Sequence, residues 1–275
     1  MADRLQALLA HFAVSARTFH AGALCGITSL DGTGPYGQLH LVRAGKVEVR
    51  HDRSVAARIE QPSLLLYPRP MAHRFISDSE RGADFVCANL SFEGGSANPI
   101  AAALPPFVCL PLDQLHGCEA VLNLLFIEAH EQYCGRQAML DRLFEVVLIQ
   151  VLRQLMEQKK TQVGMLGGMA HPQLRHALTS MHDEPHKEWC LEDLAAVCGM
   201  SRSVFANSFR DTVGATPGAY LQRWRVGLAQ KALLAGKSLK LIAQDVGYGS
   251  EAALSRAFKA QSGRSPREWR KEASA

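Results

Sequence analysis

Two groups of residues in this 275-residue chain have types and spacing that suit chemistry. In the first, Arg202, Ser203, Ala206, Asn207 and Arg210 fall on one side of a helical period. Glu251, Ala252, Ser255, Arg256 and Lys259 do so again. Arg and Asn make paired hydrogen bonds to base edges, small residues let a helix come close, and Lys suits phosphate. That is the chemistry of double-stranded DNA. In the second group, Cys25, His40, His73 and Cys87 stand at strand-like positions. Two thiolates and two imidazoles could hold zinc or another soft transition metal in a tetrahedron. A cysteine beside a histidine could instead be a low-pKa thiolate that reacts with oxidants or electrophiles. The plain alternative is a pair of inert core thiols and two ordinarily hydrogen-bonded histidines. Arg69, in YPRP, could hold an anionic small organic ligand, with His40 and His73 as further contacts.

The elements that must position the first group come as a repeat. Ala195 and Gly199 match Ala243 and Gly247 at a spacing of 48, while Phe209, Gly214 and Pro217 match Phe258, Gly263 and Pro266 at 49. Self-similarity of this kind marks a duplicated structural unit. In each copy a short apolar helix ends at a glycine that accepts positive φ, and a serine (Ser201 or Ser250) caps the next helix. Val204, Phe205, Ser208 and Phe209 form the apolar stripe of the first capped helix; Leu254, Ala257 and Phe258 form that of the second. Helix, glycine turn and capped helix make a helix-turn-helix, whose second helix enters a major groove. Thr216 and Pro217 open a connecting helix that Gly236 ends. Such a rod of about 27 Å is long enough to set two recognition helices near one DNA turn apart, ~34 Å.

The segments LAAVCGMS, SFRDTVGATPGAYLQRWRV and IAQDVGYGSEAALSRAFKAQSGRSPREWR resemble the DNA-binding domain of AraC/XylS-family bacterial transcription regulators. The resemblance covers His171 to Arg270. It implies that both units read adjacent major-groove segments. The family's base-contacting places fall on Ser203, Ala206 and Asn207 in the first copy, and on Glu251, Ala252, Ser255 and Arg256 in the second. Ala206 stands where some relatives carry a long polar residue.

Residues 18–110 have another character: short β-branched segments broken by Gly and Pro, such as QLHLVRAG, KVEVRHD and PSLLLYPRP. They predict an antiparallel barrel or sandwich. FHAGALCG, YPRPMAHRF, VCANLSF and ANPIAAALP resemble the cupin-like effector domain of AraC-type regulators. From Asp113 to Gln158 two helical patterns follow, separated by Gly135. The second carries an apolar stripe from Leu140 to Leu155, wide enough to serve two partners. The resemblance implies a homodimer contact there; the alternative is that both faces are internal core. The N-terminal residues predict an amphipathic helix with Leu5, Leu8, Leu9 and Phe12 on one side.

The fold class expected is α+β. A cupin-like sensor and dimerisation domain spans 1–158, a glycine-bearing flexible linker 159–170, and an all-α DNA-binding domain 171–275. The whole chain carries +4, but residues 171–275 hold 15 Lys and Arg against 10 Asp and Glu. The repeat therefore lies in the basic part, as contact with DNA requires. No apolar run of about 18 residues predicts a membrane span, and no signal-peptide pattern opens the chain. The seven cysteines show no CxxC pair, which argues against a secreted disulfide framework and for the cytoplasm. Cys118, Cys134, Cys190 and Cys198 are expected to be packing residues. An enzyme is disfavoured. A cupin-type metalloenzyme usually presents closely spaced histidines, and LHLVRAGKVEVR has His40 alone; a GxSxG nucleophile elbow is also missing. An adaptor without a DNA site is disfavoured by the intact double unit. The expected role is a regulator that senses a signal, binds DNA as a homodimer and, if an activator, meets RNA polymerase.

Overall fold

The computed structural model describes residues 3–93, 98–157 and 163–273. Its elements run α1 (Gln6–His11), β1 (Val14–Leu24), β2 (Ile27–Leu30), β3 (Gly37–Ala44), β4 (Val47–His51), β5 (Ser54–Ile59), β6 (Ser63–Tyr67), β7 (His73–Ser77) and β8 (Ala83–Phe92). Then come α2 (Pro99–Ala103), β9 (Val108–Pro111), α3 (Glu119–His130), α4 (Arg136–Glu157), α5 (Met165–Ala170), α6 (Leu174–Asp183) and α7 (Leu191–Val197). The chain closes with α8 (Arg202–Val213), α9 (Pro217–Leu234), α10 (Leu239–Asp245), α11 (Glu251–Ser262) and α12 (Pro266–Ala273). Contacts divide these into two units. One is Ala13–Ser96 with Leu104–Leu155; the other is Met1–Phe12 and Ala97–Ala103 with Met156–Ala275.

The first unit is built on two antiparallel sheets, ordered β1-β8-β3-β6-β9 and β2-β7-β4-β5. β6, the run SLLLY, is buried at all five positions, as a strand covered on both faces must be. Val42, Val47, Val49, Leu65, Tyr67, Phe75, Phe85 and Cys87 meet in one core. β1 is the edge of the five-stranded sheet, and α4 covers its free backbone groups. Asp141 accepts from Thr18 N at 2.7 Å, Glu145 accepts from Ala16 N at 3.3 Å, and the Gln137 amide donates to Thr18 O at 3.0 Å. Pairing an edge in this way removes a template for wrong strand addition. Leu140, Phe144, Val147, Leu148, Val151 and Leu152 of α4 are buried, in agreement with the stripe.

The second unit is helical apart from its turns. α9 carries apolar residues all round because it serves both copies: Tyr220 lies against Phe209 of the first, at 5.8 Å between ring centroids. Val226, Ala229 and Leu233 join Ile242, Leu254 and Phe258 in the core of the second.

The N-terminal helix has six residues, and Leu5, Leu8 and Phe12 are buried along it, as its pattern predicts. Val14–Leu24, which follows, is a strand, because its alternation finds a partner in β8. That helix also belongs to the helical unit rather than to residues 13–155: the Phe12 ring meets Trp224 at 4.9 Å, and Lys231 Nζ donates to His11 O at 2.8 Å. Of the expected flexible linker, Lys159–Gln162 lie outside the described residues. Met165–Ala170 form a buried helix, in which Gly168 lets the Leu178 and Val213 side chains approach where a Cβ would collide with them. Gly168 there serves close packing.

Candidate nucleic-acid interface and barrel interior

The two copies have the same lengths. α7 and α10 each have 7 residues, and α8 and α11 each have 12. Gly199 (φ +62°) and Gly247 (φ +79°) make the turns, and Gly214 and Gly263 close the second helices in the left-handed region. Ser250 accepts from Ala253 N at 3.2 Å, a formed N-cap. Thr216 accepts from Ala219 N at 3.3 Å, and Pro217 stands at the start of α9, as its sequence requires. Ser201 takes the extended cap backbone but makes no side-chain cap bond.

The phenylalanines of the stripes point inward, and this sets the outward faces. Phe205, Phe209, Leu254 and Phe258 are fully buried. Arg202, Ser203, Asn207 and Arg210 are exposed on α8, with Ala206 half-buried beside them. Glu251, Ala252, Arg256 and Lys259 are exposed on α11, with Ser255 half-buried. Val204 does not join the stripe; it is 52% exposed, so α8 offers an apolar residue beside its polar face. The signal for this is the Phe205–Phe209–Val213 line at helical spacing, which leaves Val204 one step off the buried side. Some of the α8 charge is engaged within the unit. Arg202 pairs with Glu192 at 2.9 Å, and Arg210 donates to Asn207 Oδ1 at 3.1 Å. Among the described residues Arg256 and Lys259 have no ion-pair partner.

In the barrel, His40 and His73 meet at 3.2 Å, Nε2 to Nε2. His73 Nδ1 donates to Met71 O at 2.8 Å. Its Nε2 is therefore the acceptor, His40 Nε2–H the donor, and His40 Nδ1 a buried lone pair without a partner. Burial, with His73 and His20 nearby, holds the His40 pKa well below 6.5; burial chiefly lowers that of His73 to about 4. Both rings are neutral near pH 7. Tyr67 stacks on His73 at 4.0 Å, and Phe75 meets His40 edge-on at 5.0 Å. Cys87 lies opposite both His20 and His40 in the strand register.

The other expected barrel residues lie apart. Cys25 is exposed just beyond β1, five residues past the His20 that pairs with Cys87, or about 16 Å along an extended strand. Arg69 donates to Leu104 O at 3.2 Å. Among the described residues no group of three or more His, Cys, Asp and Glu could hold a metal ion, so the four-ligand tetrahedron does not form. Nor is Cys87 a ready thiolate: burial raises its pKa far above that of a free thiol. Cys118 and Cys198 are buried as expected, but Cys134 and Cys190 are exposed, and Cys190 caps α7 by accepting from Asp193 N at 3.3 Å.

A family model described as a cupin matches residues 3–157, and one described as a helix-turn-helix domain matches residues 194–272. A putative AraC-like transcription regulator of Streptomyces lividans is 39% identical over 172 residues, 61% of this chain and 57% of that protein. The chain belongs to the AraC/XylS family. Another relative, the HTH-type transcriptional regulator AlkR of Acinetobacter baylyi, is 38% identical over 152 residues, 55% of this chain and 50% of its own length. The chain thus matches little more than half the length of these two AraC-type proteins. The RCS-specific HTH-type transcriptional activator RclR of Escherichia coli is 28% identical over 231 residues, 78% of this chain and 81% of that one. No helix among the described residues is long and apolar enough to cross a membrane.

Proposed function

We propose that the chain is a cytoplasmic transcription regulator that binds double-stranded DNA with α8 and α11 and responds to a signal through its barrel. One observation carries the DNA reading: two helices of equal length, each fixed by an inward phenylalanine and a glycine turn, present small and cationic residues to solvent. Selection from a random duplex library with the full chain tests it. The expected product is a site of two segments about one helical turn apart; no enrichment overturns the reading.

Homodimerisation through 113–158 is part of the proposal. Leu124, Ile127, Met139 and Val146 are exposed apolar residues on α3 and α4, each 39–46% accessible. Sedimentation of the full chain at micromolar concentration is expected to give a dimer, and a monomer removes this part. RNA polymerase is the further partner if the chain activates.

For the signal, the barrel geometry favours a small organic molecule with a hydrogen-bond donor. His40 Nδ1 offers a buried acceptor inside an aromatic surround, and meeting it relieves the cost of an unsatisfied polar atom. A second reading rests on the relative RclR, whose name marks it RCS-specific. On that reading the exposed Cys25 is the thiol of the strand region that an oxidant can reach, since Cys87 is buried. A reporter assay on Cys25→Ser, challenged with hypochlorite, separates them: an unchanged response eliminates the Cys25 route.

A further inference from the structure

One guanidinium in the helical unit joins both helix-turn-helix copies. Arg225, near the middle of α9, donates from Nε to Pro185 O at 2.6 Å, from Nη2 to Lys187 O at 2.8 Å and from Nη1 to Gly247 O at 3.2 Å. Its planar group also lies over the Tyr248 ring, 5.6 Å from the centroid. Pro185–Lys187 is the segment that leads into α7, and Gly247 is the turn between α10 and α11. These two stretches are themselves pressed together: a Cβ at Gly247 would stand 2.4 Å from His186 O and 2.7 Å from His186 Cα. The entry segment is stiffened further, since Trp189 Nε1 donates to Glu184 O at 3.1 Å and Lys187 Nζ sits 3.9 Å over the Trp189 ring.

A rod that carries two reading heads still leaves each head some freedom about its joint. A fork bonded to three carbonyls, two on the first copy's entry and one on the second copy's turn, removes that freedom. Arginine suits the place because its five donors lie in one rigid plane; lysine has a single ammonium and cannot span all three carbonyls. We infer that Arg225 is a positioning residue that fixes α8 relative to α11, and so sets the base-pair spacing between the two DNA segments the chain reads. The inference rests on the DNA-binding reading above. Arg225 acts through the two recognition helices.

The test uses the full chain and the duplex it enriches from a random library. Three probes are compared: that duplex, the same duplex with one base pair inserted between its segments, and a duplex with one segment scrambled. The unmodified chain should penalise the insertion strongly. Arg225→Lys should bind the enriched duplex about tenfold more weakly, lose most of the insertion penalty, and bind the single-segment probe within about twofold of the unmodified chain. Gly247→Ala attacks the same joint from the opposite side and should relax spacing in the same way. A purely structural loss would weaken all three probes equally, and that result overturns the inference. So does an insertion penalty that both variants retain. If the unmodified chain enriches no duplex, the DNA-binding reading fails and the inference falls with it; if it enriches one and the variants keep its spacing, the inference alone fails.

Discussion

The two helix-turn-helix copies share lengths, turns and buried phenylalanines, yet their outer faces are bound up differently. On α8, Arg202 is held by Glu192, and Arg210 leans on Asn207, itself one of the residues expected to read bases. On α11, Arg256 and Lys259 stand without an ion-pair partner among the described residues, and Ser250 completes its cap. A guanidinium already paired must give up that partner to reach a base, whereas an unpaired one gives up only water. Equal frames with unequal faces point to a division of labour. On the DNA-binding function proposed above, the second copy is expected to supply the stronger sequence reading and the first to supply docking and shape.

The largest effects should fall on what the copies share. Phe209 and Phe258 are fully buried at matching places. Phe209→Ala and Phe258→Ala should each cost about 3–5 kcal/mol of stability, as large-to-small core changes do. Urea unfolding of both variants checks this. A loss at one site only would show that the copies are not equivalent in the folded unit.

The next effect extends the comparison to the barrel and the helical unit, each of which buries a neutral histidine. His182 bonds the Tyr220 hydroxyl at 2.6 Å and stacks on Trp224 at 3.7 Å. Burial lowers its pKa to about 3, and that of His73 to about 4, from 6.5. Below pH 6.5 the unfolded chain takes up protons that the folded chain refuses, so these groups favour the fold fully above that pH and less as pH falls toward 4. Each should forfeit on the order of 2 kcal/mol between pH 7 and pH 5. Chemical denaturation across that range measures the slope, and His73→Gln should lower it by one group's share, with His40 and His182 holding the rest. An unchanged slope would mean that His73 is not the buried neutral group described.

The comparison sharpens at the faces themselves. Arg256→Ala should cost about 1–3 kcal/mol at the preferred duplex and relax choice at one base pair. Arg202→Ala should cost less, because its ion pair with Glu192 is exposed and such pairs contribute little. Binding titrations against a panel of single-base changes decide between them. An Arg256→Ala variant that keeps its preferences, beside an Arg202→Ala variant that loses them, would reverse the roles given to the two helices.

Much of this was legible in the residues, for physical reasons. The repeat spacing, the glycine turns and the Thr216–Pro217 start are local features, and local features determine their own geometry. The strands were readable where alternation met Gly or Pro, as at Gly45 after β3. What stayed hidden depends on distant partners. The strand Val14–Leu24 takes its form from pairing with β8. Arg225 reads as one more cation on a helix until Pro185, Lys187 and Gly247 stand around it. Cys25 and Cys87 read alike in sequence, but only the fold separates an exposed thiol from a buried one. His40 and His73 stand on different sheets, so their direct bond and the orphaned Nδ1 follow from how the two sheets face each other, which no local pattern encodes.

The smallest effect concerns the two cap serines, and it tests the comparison at a single hydrogen bond. Ser250 accepts from Ala253 N and so satisfies one of the free donors that open α11. Ser201 has the same backbone shape but makes no such bond. Ser250→Ala should therefore cost about 1 kcal/mol, the usual loss for a formed N-cap. Ser201→Ala should cost only a few tenths, since a residue outside special features on a surface shifts stability little. The matched positions make each variant the other's control: both remove one hydroxyl before a helix of 12 residues. Thermal unfolding of the two variants under identical buffer supplies the numbers. Equal losses would mean that Ser201 closes its cap in solution, and the two copies would then be alike in their frames down to the first turn of each recognition helix. Unequal losses would extend the asymmetry from the charged faces to the helix starts. The weaker start would belong to the helix whose arginines are already engaged, and order there would depend more on the DNA it meets.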